Sequence, residues 1–405
     1  MRKSFYFLVM LLFVIVIIDS AWANGKGTNN GQVSQLRVMT LNFYIGADIL
    51  GVIEPSPCGP LQSVNNLFKD IEASDPVARA EAHADLIEQQ QPDVVTLQEM
   101  YLIRKQYPSN SFIPGTGFDN FDVNPDGTIT FIPDAEVVVY DYLDLLLEAL
   151  TDRGLQYEVV EDALAIESDF EFPSWDLDPD LGCTPAEGAL PLPTDIRATD
   201  RDVTIVKSGI SYDNATAANY GTLLPFTIPT GTGTDVKIIV VRGYGATDIT
   251  HQGRTLRIVN THLEVDDQSD ANSPINLIQA AQAQELIAVL EPETLPLLVA
   301  GDFNSSPDPD DVTIAYELII AAGYEDIWTQ FNERPGNTCC QAPDLMNFKS
   351  ELFKRIDLIF LRPSADVEFL PSPMWVTGDR QSNKTDSGLW PSDHASVSAT
   401  IKLKQ

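Results

Sequence analysis

Residues 297–304 read Leu-Leu-Val-Ala-Gly-Asp-Phe-Asn. An apolar run ends at Gly301, and Asp302 and Asn304 then flank one bulky apolar residue. This is the pattern of a buried strand that breaks and holds two short polar side chains at its C-terminal edge. Asp302 offers a negative, proton-accepting oxygen. Asn304 offers a neutral donor and acceptor that can touch a phosphate without repelling it. The stretch decides the fold because its pattern recurs. Asn42, Glu99, His262, Asp357, and Asp393 with His394 each stand where an apolar run ends in a polar, reactive residue. Strand ends on one sheet edge can gather side chains from distant parts of a chain.

Each of these residues alone has a plainer reading. An Asn after a strand forms turns, a single His satisfies a core, Asp357 can pair with Arg355, and Asp393-His394 can cap a turn. Six such places with complementary chemistry exceed what turns require, and two of the four histidines fall among them. The chemistry they suit is in-line phosphoryl transfer to water, where a hard divalent cation neutralises the anionic oxygens. Mg²⁺, or Mn²⁺ or Ca²⁺ in its place, needs only one or two carboxylates, so Glu99 with Asn42 suffices, and Asp393 serves a second or shifted position. Asp302 then holds or deprotonates the attacking water, and Asn304 binds the phosphoryl oxygen. His262 and His394 donate to developing charge or to the leaving group. Asp357 holds the tautomer of His394.

Composition sets bounds around this reading. The 405 residues are 44% hydrophobic, enough for a large core in one to three domains. The net charge of -34 counts against tight, nonspecific nucleic-acid binding, although a bound cation can reverse the sign locally. Arg2 and Lys3 precede an apolar run at 5–18, and Ala21-Trp22-Ala23 follows. Residues 1–23 therefore read as a cleaved export signal, 24–35 as a flexible start, and 36–405 as one domain, secreted or periplasmic. No second long apolar stretch follows, so no integral membrane segment is expected after cleavage. Four cysteines, Cys58, Cys183, Cys339 and Cys340, suggest two disulfides. A bridge between adjacent cysteines strains the peptide, so Cys339 and Cys340 are each expected to pair with Cys58 or Cys183.

Along the chain, strands are expected at 36–42, 93–98, 156–160, 202–207, 295–301, 356–361 and 395–402, with 236–242 and 255–262 paired. Helices are expected at 77–90, 140–153, 274–290 and 311–322. The segments 43–66, 99–132 and 208–235 read as loops, and the acidic, Pro-rich 161–199 as a surface insertion. This mixture favours two packed sheets flanked by helices, an α/β (α+β) fold, over a doubly wound sheet. Asp122, Asn124 and Asp126 with Gly127 look like half of a calcium loop, but Pro133 stands where the closing Glu belongs. A Pro-Asp-Gly turn between two short strands explains the same letters.

In order, Thr40-Leu41-Asn42, Leu97-Gln98-Glu99, the Asn260-to-Glu264 run NTHLE, Gly301-to-Ser305 GDFNS, Arg355-to-Phe360 RIDLIF and Pro391-to-His394 PSDH resemble one motif set. It is that of the endonuclease/exonuclease/phosphatase superfamily, which includes DNase I, AP endonucleases, inositol polyphosphate phosphatases and neutral sphingomyelinases. The resemblance covers about 36–403 and implies a four-layered α/β/β/α sandwich, DNase I-like. It implies Glu99 and Asn42 at the metal and Asp302 with Asn304 as the catalytic acid and its phosphate-binding partner. Asp357 would support the last histidine, and Asp393 with His394 form the terminal pair. His262 is similar to DNase I-like and sphingomyelinase-like members, where AP endonucleases carry Tyr. The segments TDRDVTIVKSG, TCCQAPDLMN and SGLWPSDH resemble an exported bacterial group, and the Cys339-Cys340 pair belongs to that resemblance.

The expected function is that of an exported, divalent-metal-dependent phosphodiesterase acting on a lipid or other small phosphoester. One alternative is a secreted DNase I-type nuclease using Arg104, Lys105 and Arg201 near the site. The other is a catalytically inactive binding module of the same fold. A lipid substrate calls for an exposed apolar element, and 373–376 with Trp375 is the candidate. No sequence pattern sets the number of subunits.

Overall fold

The computed structural model describes residues 34–404 except 53–55, 231–232, 271, 365–367 and 371–372. The expected leader at 1–23 lies outside the described residues, as does most of 24–35. Ser34 and Gln35 already belong to the first strand, Ser34–Asn42.

That strand pairs in parallel with Val94–Gln98, placing Asn42 beside Gln98. A parallel pair needs a crossover. Helices Pro60–Ala73 and Pro76–Gln90 supply it. Both begin with Pro, which has no N–H to leave unpaired in the first turn. The Asp75 side chain also accepts from the Ala78 amide. The second sheet repeats the unit. Strands Arg254–His262 and Leu297–Asp302 run parallel with His262 beside Asp302, joined through helix Pro274–Leu290. All other pairings of these four strands are antiparallel: Ser396–Lys404 flanks Ser34–Asn42, Thr194–Lys207 flanks Val94–Gln98, Gly243–His251 flanks Arg254–His262, and Asp357–Arg362 flanks Leu297–Asp302.

Alternation along each strand sorts side chains into layers. Leu36 and Val38 of the first sheet meet Ile258, Leu298, Ala300 and Ile359 of the second. Met39 and Leu41 point the other way, under Ile71, Leu86 and Leu146 of the helices Pro60–Ala73, Pro76–Gln90 and Tyr142–Asp152. On the far side, Val259, Val299 and Phe360 lie under Ala283, Leu286 and Ile319 of Pro274–Leu290 and Ile314–Ala321. The order helix, sheet, sheet, helix is the α/β/β/α sandwich. Asn260 ties the sheets together: its Nδ2 donates to the carbonyls of Leu97 (3.0 Å) and Val203 (3.1 Å), and its Oδ1 accepts from Gln98 Nε2 (2.6 Å).

Several expectations are corrected. Helix Pro60–Ala73 begins inside the expected loop 43–66; Gly59-Pro60 reads as punctuation but serves as a helix start. The segment 161–199 is no surface insertion. It contributes strand Ala165–Ser174 and the first half of Thr194–Lys207, which pair with each other from Asp169–Thr199 to Ser174–Thr194. Within 99–132 and 208–235 lie strands Leu102–Gln106, Ser211–Asn219 and Leu224–Ile228. Segments 236–242 and 255–262 are not partners. Val236–Val240 pairs with Leu224–Ile228, in a small sheet outside the sandwich, while Arg254–His262 pairs with Gly243–His251. Alternation identifies a strand but not its neighbour. The cysteines also pair otherwise than expected: Cys58 joins Cys183, and Cys339 joins Cys340. Folding brings the Cα atoms of Cys58 and Cys183 to 5.4 Å, within bridging distance, so neither remains for the adjacent pair.

Candidate active site

The two parallel pairs end at the same edge of the sandwich. Asn42 leaves the first sheet there, Glu99 follows one residue after Gln98, and His262 and Asp302 close the second pair. Asp357 and His394 reach the edge differently. They stand at strand beginnings, not ends, but their strands run antiparallel to Leu297–Asp302 and Ser34–Asn42, so those beginnings face the same way. Asp357 is the register partner of Asp302. Gly301 permits the close approach here, because a Cβ on it would overlap the Thr261 carbonyl of the neighbouring strand.

Asn42 sits between two carboxylates. Its Nδ2 donates to Glu99 Oε1 (2.9 Å) and Asp302 Oδ2 (3.0 Å), and its Oδ1 accepts from the Tyr44 amide (2.9 Å). The second Glu99 oxygen accepts from the Ile45 amide at 3.0 Å. Asp302 Oδ1 accepts from the Asn304 amide at 2.9 Å. Glu99 and Asn304 both adopt left-handed backbone conformations, with φ of 57° and 47°. Such angles are uncommon outside glycine and cluster where a side chain must be aimed.

His394 Nδ1 lies 2.8 Å from Asp357 Oδ2 and 3.7 Å from Asp302 Oδ2. The Thr338 hydroxyl accepts from the amides of Ile356 and Asp357 and so fixes the start of that strand. Arg355 turns away to Asp326 (2.7 Å), which removes the plainer pairing for Asp357. Asp393 is half-buried beside this group.

His262 is held from behind by a residue that no motif marks. Arg242 Nη1 lies 2.9 Å from His262 Nδ1, 3.1 Å from Glu167 and 3.3 Å from Asp200. A guanidinium donates and cannot accept. His262 Nδ1 therefore presents its lone pair, and the proton sits on Nε2. That proton faces Asp302 Oδ2 at 3.7 Å, and Asn304 Nδ2, bonded to the Leu263 carbonyl at 3.0 Å, lies 3.3 Å from the same nitrogen. Two donors, His262 Nε2–H and Asn304 Nδ2, thus lie side by side at this edge. Glu167, Asp200 and His262 are close enough to hold a cation, and the Arg242 guanidinium supplies that charge.

Electrostatics separate the two histidines. Burial, Arg242 and His394 hold His262 well below its ordinary value, so it stays neutral. Burial opposes charge on His394, but Asp357, Asp393 and Asp302 outweigh it and raise the group well above its ordinary value. Burial pushes Asp302 up to about 7, with His394 opposing and Asp357 adding. Burial likewise pushes Asp393 up to about 6, with Glu99 among the groups adding to the rise. Burial, which disfavours the charged form, is the main cause of both shifts, and neighbouring carboxylates add to it. Glu99 keeps a free lone pair on each oxygen, and the donors are hard oxygens. Glu99 and Asp393 offer hard oxygen donors to a divalent cation, and Asn42 fixes the orientation of Glu99.

The remaining sequence candidates lie elsewhere. Arg104 is committed to Thr199 and to Asp169 (3.6 Å), and Arg201 to Asp141 (2.6 Å) and the Met100 carbonyl (2.7 Å). Lys105 is exposed beside these strands. Residues 122–129 form a hairpin turn. Asp126 accepts from Thr128 and pairs with Lys237, and these hydrogen bonds lower it to about 2. Trp375 lies in an edge strand, paired with Ser398. Arg242, Glu167 and Asp200 escaped sequence reasoning; Glu167 lies in the acidic segment 161–199 that reads as a surface insertion, Asp200 just past it, and Arg242 at the end of the expected strand 236–242.

A family model described as "Endonuclease/Exonuclease/phosphatase family" matches residues 66–394. Among solved structures, the chain is similar to an endonuclease/exonuclease/phosphatase family protein from Leptotrichia buccalis, at 14% identity and a TM-score of 0.46, over 90% of this chain and 99% of that one. It is similar to an endonuclease/exonuclease/phosphatase from Bacteroides vulgatus at 15% identity and 0.46, over 92% and 100%. It is also similar to a humanized D. rerio TDP2 with 14 mutations, at 15% identity and 0.46, over 91% and 98%. None of the curated proteins matches it.

Proposed function

The chain belongs to the endonuclease/exonuclease/phosphatase family, and on that premise we propose that it is a divalent-metal-dependent phosphoester hydrolase. The observation that carries this is the network joining half-buried Glu99 to buried Asn42, Asp302, Asp357 and His394 at one edge. A cation held by Glu99 and Asp393, Mg²⁺ in the first instance and Mn²⁺ or Ca²⁺ in its place, would neutralise phosphoryl and leaving oxygens. Asp302, held by Asn42 and the Asn304 amide, orients a water and takes its proton as the oxygen bonds to phosphorus. Asn304 Nδ2 and His262 Nε2–H receive the phosphoryl oxygen. His394, charged and steadied by Asp357, donates to the oxygen that departs as its bond to phosphorus breaks.

We assign the substrate to small or lipid phosphodiesters rather than nucleic acid. Two observations support that choice. The chain carries 59 acidic against 25 basic residues, a field that repels a polyanion. The arginines expected to serve a nuclease are bonded to acidic partners, Arg104 to Asp169 and Arg201 to Asp141. Export is part of the same proposal, resting on the 1–23 signal pattern. The Cys58–Cys183 bridge is compatible with an oxidising compartment. No described helix is long and apolar enough to cross a membrane.

The test is a metal-supplemented panel of bis-p-nitrophenyl phosphate, sphingomyelin, phosphatidylinositol phosphates, DNA and RNA. Metal-dependent hydrolysis of a small or lipid diester, with little on nucleic acid, is expected. Preference for DNA would overturn the substrate assignment, and equal activity in excess chelator would overturn the mechanism.

A further inference from the structure

Residues 338–341 lie between the two strand beginnings that carry Asp357 and His394. Cys339 forms antiparallel bridges with both Lys354 and His394. The Thr338 carbonyl accepts from the Ala395 amide (2.7 Å), and the Gln341 amide donates to the Asp393 carbonyl (2.8 Å). On the other flank, the Cys339 amide donates to the Lys354 carbonyl (2.9 Å), and the Lys354 amide donates to the Cys339 carbonyl (3.0 Å). Residues directly opposite in an antiparallel pair send their side chains to the same face. Accordingly, the sulfurs of Cys339 and Cys340 and a ring nitrogen of His394 lie within 4.8 Å of one another. Cys339 is buried, and Cys340 is half-buried.

The reaction proposed above makes no use of these sulfurs. Two sulfurs and an imidazole are the donor set of a thiophilic cation, whereas Mg²⁺ takes oxygens. Joined to each other, Cys339 and Cys340 have no thiolate to offer. A dithiol reductant changes that. It supplies two electrons and two protons, the S–S bond breaks, two thiols form, and the reductant closes to its own disulfide. Two thiolates bound tetrahedrally to Zn²⁺ at about 2.3 Å stand roughly 3.7 Å apart. The bridge holds its sulfurs at about 2 Å, so opening it is the step that gives them the spacing a cation needs. The cation then replaces the two thiol protons and the proton on the open nitrogen of His394.

An independent contact favours His394 as the third ligand. Its Nδ1 is already held by Asp357 Oδ2 at 2.8 Å, which leaves Nε2 open. A carboxylate on the far ring nitrogen is what orients a zinc-bound histidine and raises its basicity.

We propose that, once reduced, Cys339 and Cys340 form with His394 a three-ligand site for a thiophilic divalent cation such as Zn²⁺, and that its occupancy takes His394 out of the reaction. The site stands on the placement of the three side chains; its effect on turnover rests on the hydrolase reading above.

The experiment uses the full chain, oxidised, or reduced with dithiothreitol and freed of it by gel filtration under nitrogen. Equilibrium dialysis with Zn²⁺ in excess Mg²⁺ is expected to show one tightly held Zn²⁺ per chain after reduction and none before. Co²⁺ in its place should give the near-ultraviolet absorption of a cobalt–thiolate bond. Cys340→Ser and Cys340→Ala should each weaken Zn²⁺ binding by about a hundredfold or more, and His394→Ala by about tenfold or more. In the reduced wild type, which needs no substitution, Zn²⁺ should protect Cys339 and Cys340 from iodoacetamide and leave Cys58 and Cys183 to react, as peptide mapping reads. Equal uptake by oxidised and reduced protein, absence of the thiolate band, protection of Cys58 and Cys183 instead, or full affinity in any of the three variants overturns the site. One equivalent of Zn²⁺ should nearly abolish hydrolysis of bis-p-nitrophenyl phosphate by the reduced protein and leave the oxidised protein active. Unchanged turnover with Zn²⁺ bound overturns the coupling to His394. A chain that binds Zn²⁺ as described and hydrolyses no diester in either state keeps the site, and the hydrolase reading fails alone.

Discussion

His394 Nδ1 and Asp357 Oδ2 stand 2.8 Å apart, both buried, with the second Asp357 oxygen buried and unpartnered. The carboxylate therefore spends its charge on the imidazole. Asp357→Asn preserves shape but removes that charge and lets an amide donor face Nδ1. Turnover of a phosphodiester with Mg²⁺ should fall by about 10²- to 10⁴-fold, with an unchanged circular dichroism spectrum. Retention of most of the activity would remove Asp357 from the proposed mechanism.

Asp302 accepts from both Asn42 and the Asn304 amide. Asp302→Ala and His394→Ala should each nearly abolish turnover while the protein stays folded, and chelation of metal should do the same to the wild type. Stopped-time assays before and after adding back Mg²⁺ check all three.

Arg242 sets the proton on His262 Nε2 through the 2.9 Å contact at Nδ1. Arg242→Gln offers Nδ1 an amide that can accept as well as donate, and it removes one of the causes holding His262 down. The His262 group should then rise, and the acid limb of the kcat/KM profile should move to higher pH. A profile that only scales down, without moving, would assign Arg242 a packing role instead.

His83 is buried against Phe43, and burial and Arg79 lower it to about 3. The unfolded chain protonates this group near 6.5, whereas the folded chain does not until about 3. Stability from this residue is complete above 6.5 and is lost as pH falls toward 3. His83→Phe should therefore lose about 2 kcal/mol less than the wild type between pH 7 and 4.5 in urea titrations. Parallel curves for the two proteins would contradict the assignment.

Asn260 makes three hydrogen bonds across the inter-sheet core. Asn260→Ala strands two carbonyls and the Gln98 amide away from water. A loss of about 2–4 kcal/mol in urea unfolding is expected. A change below about 0.5 kcal/mol would mean that water replaces the side chain.

Much of this protein was legible from local sequence. Runs such as Leu297–Asp302 and Val94–Gln98 are apolar because both faces of each strand are covered, and burial on both faces leaves a continuous hydrophobic signature. Proline at the starts of Pro76–Gln90 and Pro274–Leu290 marks their first turns. Asn42, Glu99, His262, Asp302, Asp357 and His394 stood out because a strand boundary beside a reactive side chain is a local event. Which strands would become neighbours was not local. Val236–Val240 and Arg254–His262 carry similar patterns and went to different sheets. Glu167 sits in the acidic segment 161–199 that reads as a surface insertion, and Asp200 just past it, yet both are buried around Arg242. The sequence by itself determined the layers, the strand ends and the reactive side chains placed at them, since periodicity and polarity act over a few residues. Only the tertiary structure decided strand neighbours, cysteine partners and the proton on His262, since each depends on groups that meet only after the two sheets have packed.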